Sequence, residues 1–204
     1  MAITLEQIKE LRKRTGVGIN AVKEALEASK GDTEQAIHYL RKKGIAKGAK
    51  RAGRDAENGF IANYIHGEGS IGVLIELNSE TDFAARNERF RELAHDIALH
   101  IAASDPQYIS KEDIPENVLE KEKDIYRKDL EGKPEAVQEK IIEGKLQKYY
   151  EEVVLLEQPF VKDDKKKIKD LMNDALAAIG EKIEIGRFVR FEIAEPSSSC
   201  GLVV

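Results

Sequence analysis

The first apolar residues fall at helical spacing. Leu5, Ile8 and Leu11 lie three apart behind Thr4, whose side chain suits a helix N-cap. The segment TGVG at 15–18 then breaks the pattern, since glycine favours a turn. Val22, Ala25 and Leu26 predict a second helix that stops at Gly31. Asp32 or Thr33 can cap a third, carrying Ala36, Ile37 and Leu40 before a stop at Gly44. Three short helices within residues 4–43 make a very small core, so this module is expected to be marginally stable alone.

Beyond it the period changes to two. FIANYIH (60–66) and IGVLIELN (71–78) are rich in β-formers, and GEGS between them supplies a hairpin turn. Asn87 is the expected cap of a helix with Phe90, Leu93, Ala94, Ile97, Ala98 and Ile101 on one stripe. Pro106 and Pro115 bracket a loop, and EGKP separates two helical stretches over 116–130 and 135–150. VVLLEQPFV (153–161) is apolar but holds Pro159, which predicts a buried crossing segment or an edge strand. Asp163 or Asp164 is expected to open a helix carrying Ile168, Leu171, Met172, Ala175, Leu176 and Ile179, closed by Gly180. In GRFVRFEI (186–193), Val189, Phe191 and Ile193 alternate with Phe188, Arg190 and Glu192, which is a third strand. The expected class is α+β: a three-helix module over 1–44, a basic linker over 45–58, and a core domain over 59–195. In that core, helices pack over one face of a small antiparallel sheet. The tail 196–204 has no periodicity and is expected to be mobile.

Composition narrows the function classes. The 204 residues are 41% hydrophobic, enough for a real core. A net charge of −5 argues against a dedicated nucleic-acid binder, which needs a cationic field. One cysteine, Cys200, excludes an internal disulfide framework and fits a reducing compartment. No apolar run approaches the roughly 18–20 residues of a membrane span, so a cytoplasmic protein is expected. The stretch RKKGIAKGAKRAGRDAENG (41–59) concentrates cations. It reads first as a solvated, partly helical linker, and second as a strap for an acidic surface or RNA. It lacks the stacking aromatics of single-strand binders. Phosphate-cradling, nucleophile-elbow and H-E-x-x-H motifs are missing, and His95 and His100 are spaced wrongly for a shared metal. Glu80 and Asp82 imitate an acid/base pair, but carboxylates on a turn are expected to stay ionised and solvated. No enzyme active site and no cofactor are expected.

The stretch IELNSETDFAARNERF (75–90) raises the sharpest question. Phe83 stands beside Asp82 on a polar turn, with Ser79 and Thr81 just upstream. Either the ring folds back onto its own hairpin, or it is presented to another protein.

The three short helices with a small-residue turn resemble the ubiquitin-associated type of bundle, which offers its first turn and last helix to a protein partner. LRKRTGVGINAVKEAL (11–26), ELNSETDFAARN (76–87), KYYEEVVLLEQPFVKDDK (148–165) and GRFVRFE (186–192) together resemble bacterial elongation factor Ts, and the likeness runs to about Pro196. Three positions depart: Ile19 and Asn20 stand where members often carry methionines, and Ser79 replaces a frequent cysteine. The resemblance implies a nucleotide exchange factor, not an enzyme. It would bind the GTPase elongation factor Tu in its GDP-bound and nucleotide-free states, and disturb its Mg²⁺/phosphate site. Thr81, Asp82, Phe83 and Ala84 are then the residues implied in dislodging that Mg²⁺. Leu11, Arg12, Val17, Ile19, Asn20 and His66 are implied in partner binding. With one hairpin-plus-helix unit the chain resembles the shorter members, which work as homodimers.

Overall fold

Helix α1 (Leu5–Thr15) starts where its cap demands. The Thr4 side chain accepts the Gln7 N–H while the Gln7 side chain returns to the Thr4 N–H, satisfying two donors that the first turn leaves orphaned. It ends at Gly16, whose φ of 70° is open to glycine at little cost. α2 (Ile19–Ala28) and α3 (Thr33–Arg51) follow, the latter capped by Asp32, which accepts the Gln35 N–H at 2.9 Å. Leu11, Val17, Val22, Ala25, Leu26, Ala36 and Leu40 close into one buried cluster, consistent with the ubiquitin-associated type of bundle. The coordinates are a computed structural model that describes residues 3–51, 53–128, 130 and 134–193. Cys200 and the tail 196–204 lie outside the described residues.

The third helix does not stop at Gly44. It continues to Arg51, so the first part of the expected linker is helical. Gly44 is a place of close approach: a Cβ there would stand 2.7 Å from the Cβ of Ala177. Beside this contact Arg41 grips Asp174 through two hydrogen bonds, at 2.9 and 3.1 Å. The glycine that looked like a helix stop admits a neighbouring helix instead.

Strands β1 (Asn58–His66) and β2 (Ile71–Ser79) form the expected hairpin, and β5 (Ile183–Glu192) completes a three-stranded sheet in the order β1-β2-β5. Along β2, Val73, Ile75, Leu77 and Ser79 are buried while Leu74 is exposed. The short α4 (Asp82–Ala85) leads into α5 (Glu88–Ser104), where the Asn87 side chain accepts the Arg89 N–H. Phe90, Ala94, Ile97, Ala98 and Ile101 are fully buried, as their helical stripe requires. α6 (Glu116–Lys128) and α7 (Glu135–Val153) occupy the two stretches set apart by EGKP.

The segment after α7 is a buried crossing and an edge strand at once. Val154 and Leu155 are fully buried, and β3 (Pro159–Phe160) pairs antiparallel with β4 (Asp163–Lys167). The expected helix start at Asp163 or Asp164 is therefore wrong: α8 spans Ile168–Ile179. The sequence DDKKK has no β-formers to announce a strand. Pairing with β3 overrides that, and the Ile168 N–H bonds to the Gln158 carbonyl at 3.1 Å.

The chain divides into two compact units. One comprises the chain up to Asn63, Leu74–Ala98 and Asp170–Phe188; the other comprises Tyr64–Val73, Leu99–Lys169 and the chain from Val189 on. This division cuts across the sheet strands and differs from a simple module-plus-core split, because contacts join the helical module to α5 and α8.

Candidate functional site

Phe83 is 80% exposed, the most exposed of the large hydrophobic residues among those described. It does not fold onto its own hairpin. Its support comes from the residues on either side. Ala84 and Ala85 are buried and seat α4 on the body of the unit. Thr81 caps the helix, accepting the Ala84 N–H at 3.3 Å. Ser79 is buried and donates its hydroxyl to the Thr81 carbonyl at 2.9 Å. Asp82 lies outside beside the ring and pairs with Arg86 across one turn at 3.1 Å.

Carboxylates brace this turn. Glu80 accepts the Lys182 N–H at 2.7 Å, Arg54 at 2.7 Å and Arg51 at 3.0 Å. These donors, led by the Lys182 amide, hold its carboxyl at about 2, well below the ordinary carboxylate range. Glu80 is thus ionised as its sequence context predicted, but it is not solvated: its side chain is only 14% exposed. Asn58 donates to the Glu80 carbonyl at 3.0 Å. From the loop after α8, Glu181 accepts the Thr81 N–H at 3.0 Å and the Thr81 hydroxyl at 2.9 Å. The cations of the supposed strap are largely spent internally: Arg41 on Asp174, Lys43 on Glu24, Arg51 and Arg54 on Glu80. The side chains of Lys47 and Lys50 lie outside the described residues.

The six partner-facing residues separate. Leu11 is fully buried and Val17 is 7% exposed, so both side chains belong to the core of the module. An apolar residue beside a turn can serve the core or the surface, and in so small a bundle the core needs it. Arg12, Ile19 and Asn20 are exposed. Arg12 lines a cavity of about 430 Å³ together with Lys9, Lys13, Gly16 and Arg89. The Arg89 guanidinium lies over Gly16, in space that any Cβ would fill. These four cations have no carboxylate partner among the described residues, which leaves a basic surface facing solvent. His66 is exposed at the end of β1, its Nδ1 3.2 Å from the Tyr64 hydroxyl.

The two helical histidines differ. His95 is exposed, whereas His100 is fully buried. Burial pushes the His100 imidazole below its usual range, against the opposing bond to Gln158 at 2.9 Å. Among the described residues no group of three or more His, Cys, Asp or Glu converges to hold a metal ion. No helix among them is long and apolar enough to cross a membrane.

The family model for elongation factor TS matches residues 20–195, a span that includes the Phe83 turn, both bracing loops and the third strand. The chain belongs to the elongation factor Ts family. It is 56% identical over 196 residues to elongation factor Ts of Thermodesulfovibrio yellowstonii, covering 96% of this chain and 98% of that one. Elongation factor Ts of Acetivibrio thermocellus is 54% identical, covering 95% and 91%. That of Thermotoga neapolitana is 50% identical, covering 96% and 99%. Membership places the chain among translation elongation factors. Of the bracing residues in this elongation factor Ts chain, Glu80 was visible in the sequence as an acid on the turn. Glu181 was not, because nothing local links it to a turn a hundred residues earlier.

Proposed function

We propose that the chain is a guanine nucleotide exchange factor that binds elongation factor Tu·GDP and opens its Mg²⁺/phosphate site, so that GDP leaves and GTP can bind. One observation carries this reading: an apolar ring 80% exposed to water on a turn that the carboxylates of Glu80 and Glu181 hold in place. An exposed Phe gains little for its own fold, and a buried aromatic anchor at an interface is commonly worth about 2 kcal/mol or more. Mg²⁺ is often the largest local charge in a nucleotide site, so a ring that displaces its supports weakens phosphate binding. The factor cannot shift the overall GDP/GTP equilibrium. By linkage it must prefer empty Tu by the same factor by which it weakens the nucleotide.

In this reading Phe83 enters the partner, flanked by Thr81, Asp82 and Ala84, with Thr81 and Ala84 serving as its seat. Arg12, Ile19 and Asn20 grip a second region, and the basic cavity beside Arg12 favours an acidic one. His66 contacts the GTPase from the hairpin end. The factor acts in the cytoplasm without a cofactor or a covalent step. It works as a homodimer through edge strand β5, where Phe191 is 57% exposed and Ile193, just past the strand, is 79% exposed. The decisive experiment is release of labelled GDP from purified Tu. The chain should accelerate release; an unchanged off-rate in the presence of binding leaves only a scaffold. Sedimentation giving a monomer at micromolar concentration, with exchange intact, would overturn the dimer.

A further inference from the structure

Residues 80–81 and 181–182 bind each other reciprocally. The Glu80 side chain takes the backbone N–H of Lys182, and the Glu181 side chain takes the backbone N–H of Thr81. Glu181 also receives the Thr81 hydroxyl with both oxygens, at 2.9 and 3.0 Å. Lys182 adds a third tie, donating to the Arg54 carbonyl at 2.9 Å. Gly180, at φ 83°, ends α8 and turns the chain so that Glu181 and Lys182 arrive together.

Such a brace has a particular use here. Helix α4 is four residues long, far too short to hold its own geometry. The Phe83 ring has almost no packing of its own, so the backbone of α4 alone sets where it points. Charge-assisted bonds to backbone N–H groups are shorter and stronger than neutral ones, and a carboxylate taking both the amide and the hydroxyl of one residue fixes its position. Ordering a turn in advance removes that cost from the encounter with a partner.

We infer that Glu181, acting with Glu80, is the positioning residue of the exchange site: it sets the direction of the Phe83 ring before contact. This rests on the exchange reading above. Glu181 does not touch the partner and acts through the turn.

The test is a double-mutant cycle on the full-length chain, reading GDP release from Tu at saturating factor, together with melting temperature. Phe83→Ala should slow release by about tenfold. Glu181→Ala should slow it by about fivefold, and Glu181→Gln, which keeps one acceptor for the Thr81 amide, by about twofold or less. In the Phe83→Ala background, Glu181→Ala should change the rate hardly at all, since the ring through which it acts is gone. A purely structural carboxylate would slow both backgrounds equally, and that result overturns the inference. A wild-type rate for Glu181→Ala in the presence of Phe83 also overturns it. If Phe83→Ala alone leaves release unchanged, the exchange reading itself falls. Should Glu181→Ala fail to fold, Glu181→Asp replaces it in the same cycle, because it draws the carboxylate back from Thr81 by one methylene and leaves the Thr81 cap of α4 in place; the same two patterns then decide.

Discussion

Two turns in this chain are built alike and end with their aromatic rings in opposite surroundings. Glu80 stands three residues before Phe83, and Glu157 stands three residues before Phe160. Both carboxylates are mostly shielded, with side chains 14% and 11% exposed. Glu80 is ringed by Arg51, Arg54 and the Lys182 amide, Glu157 by Lys111, Lys167 and Lys169. Burial alone would raise Glu157, but the Lys169 bond and the Lys169 and Lys111 charges outweigh it and hold it at about 2. The rings that follow go opposite ways: Phe160 is 6% exposed, Phe83 80%. A carboxylate clamp therefore says only that a turn is held. Where the next aromatic goes separates a ring packed into the core from one held out in water.

The largest expected effect breaks the pair apart. Phe160→Ala should cost about 3–5 kcal/mol of stability, the usual range for deleting a buried aromatic. Phe83→Ala should leave the melting temperature nearly unchanged while slowing catalysed GDP release about tenfold, the kinetic equivalent of about 1.4 kcal/mol. Thermal melts and exchange rates on the same two preparations check both. Unfolding by Phe83→Ala would show that the two turns are not different after all.

Acid sharpens the comparison next. Both carboxyls lie at about 2 in the folded chain, below the unfolded value of about 4.3. Each stabilises fully above about pH 4.3, and the contribution is lost as pH falls toward about 2. Melting temperature should drop across that window, and Glu80→Gln or Glu157→Gln should flatten the drop. Only Glu80→Gln should also slow exchange at neutral pH. Equal exchange by both variants would remove any special role for the first clamp.

The smallest effect belongs to Asp82. Its pair with Arg86 is exposed and one helical turn apart, so Asp82→Ala should cost about 0.3–0.5 kcal/mol at most. Exchange should slow less than with Phe83→Ala. A loss as large would mean that Asp82 meets the partner directly.

What sequence could show follows from how local each feature is. The helical stripe from Phe90 to Ile101, the β1–β2 hairpin and the odd placement of Phe83 are written within a few residues, and all were legible. The continuation of α3 past Gly44 was not, because its reason is Ala177, far along the chain. The strand in DDKKK was hidden by residues that disfavour strands, since its partner Pro159–Phe160 supplies the pairing. At the site, the ring was visible and its brace was half visible: Glu80 sits on the turn, while Glu181 is set there only by folding. The burial of Leu11 and Val17 was not legible, because a motif implied in partner binding does not say which of its apolar members the core consumes.

Helix α3 carries a consequence of its own. Its 19 residues begin inside the N-terminal cluster, pass Ala177 at Gly44, and end at Arg51, which grips Glu80. It acts as a gauge, not a tether. Each residue advances the axis by about 1.5 Å and turns it by about 100°. One inserted residue between Gly44 and Arg51 would therefore swing Arg51 off Glu80 while leaving composition, charge and helix propensity almost untouched. A flexible linker would absorb that residue unnoticed. Here length and angular phase are part of the site, so this stretch should tolerate exchanges of side chain far better than any change in count.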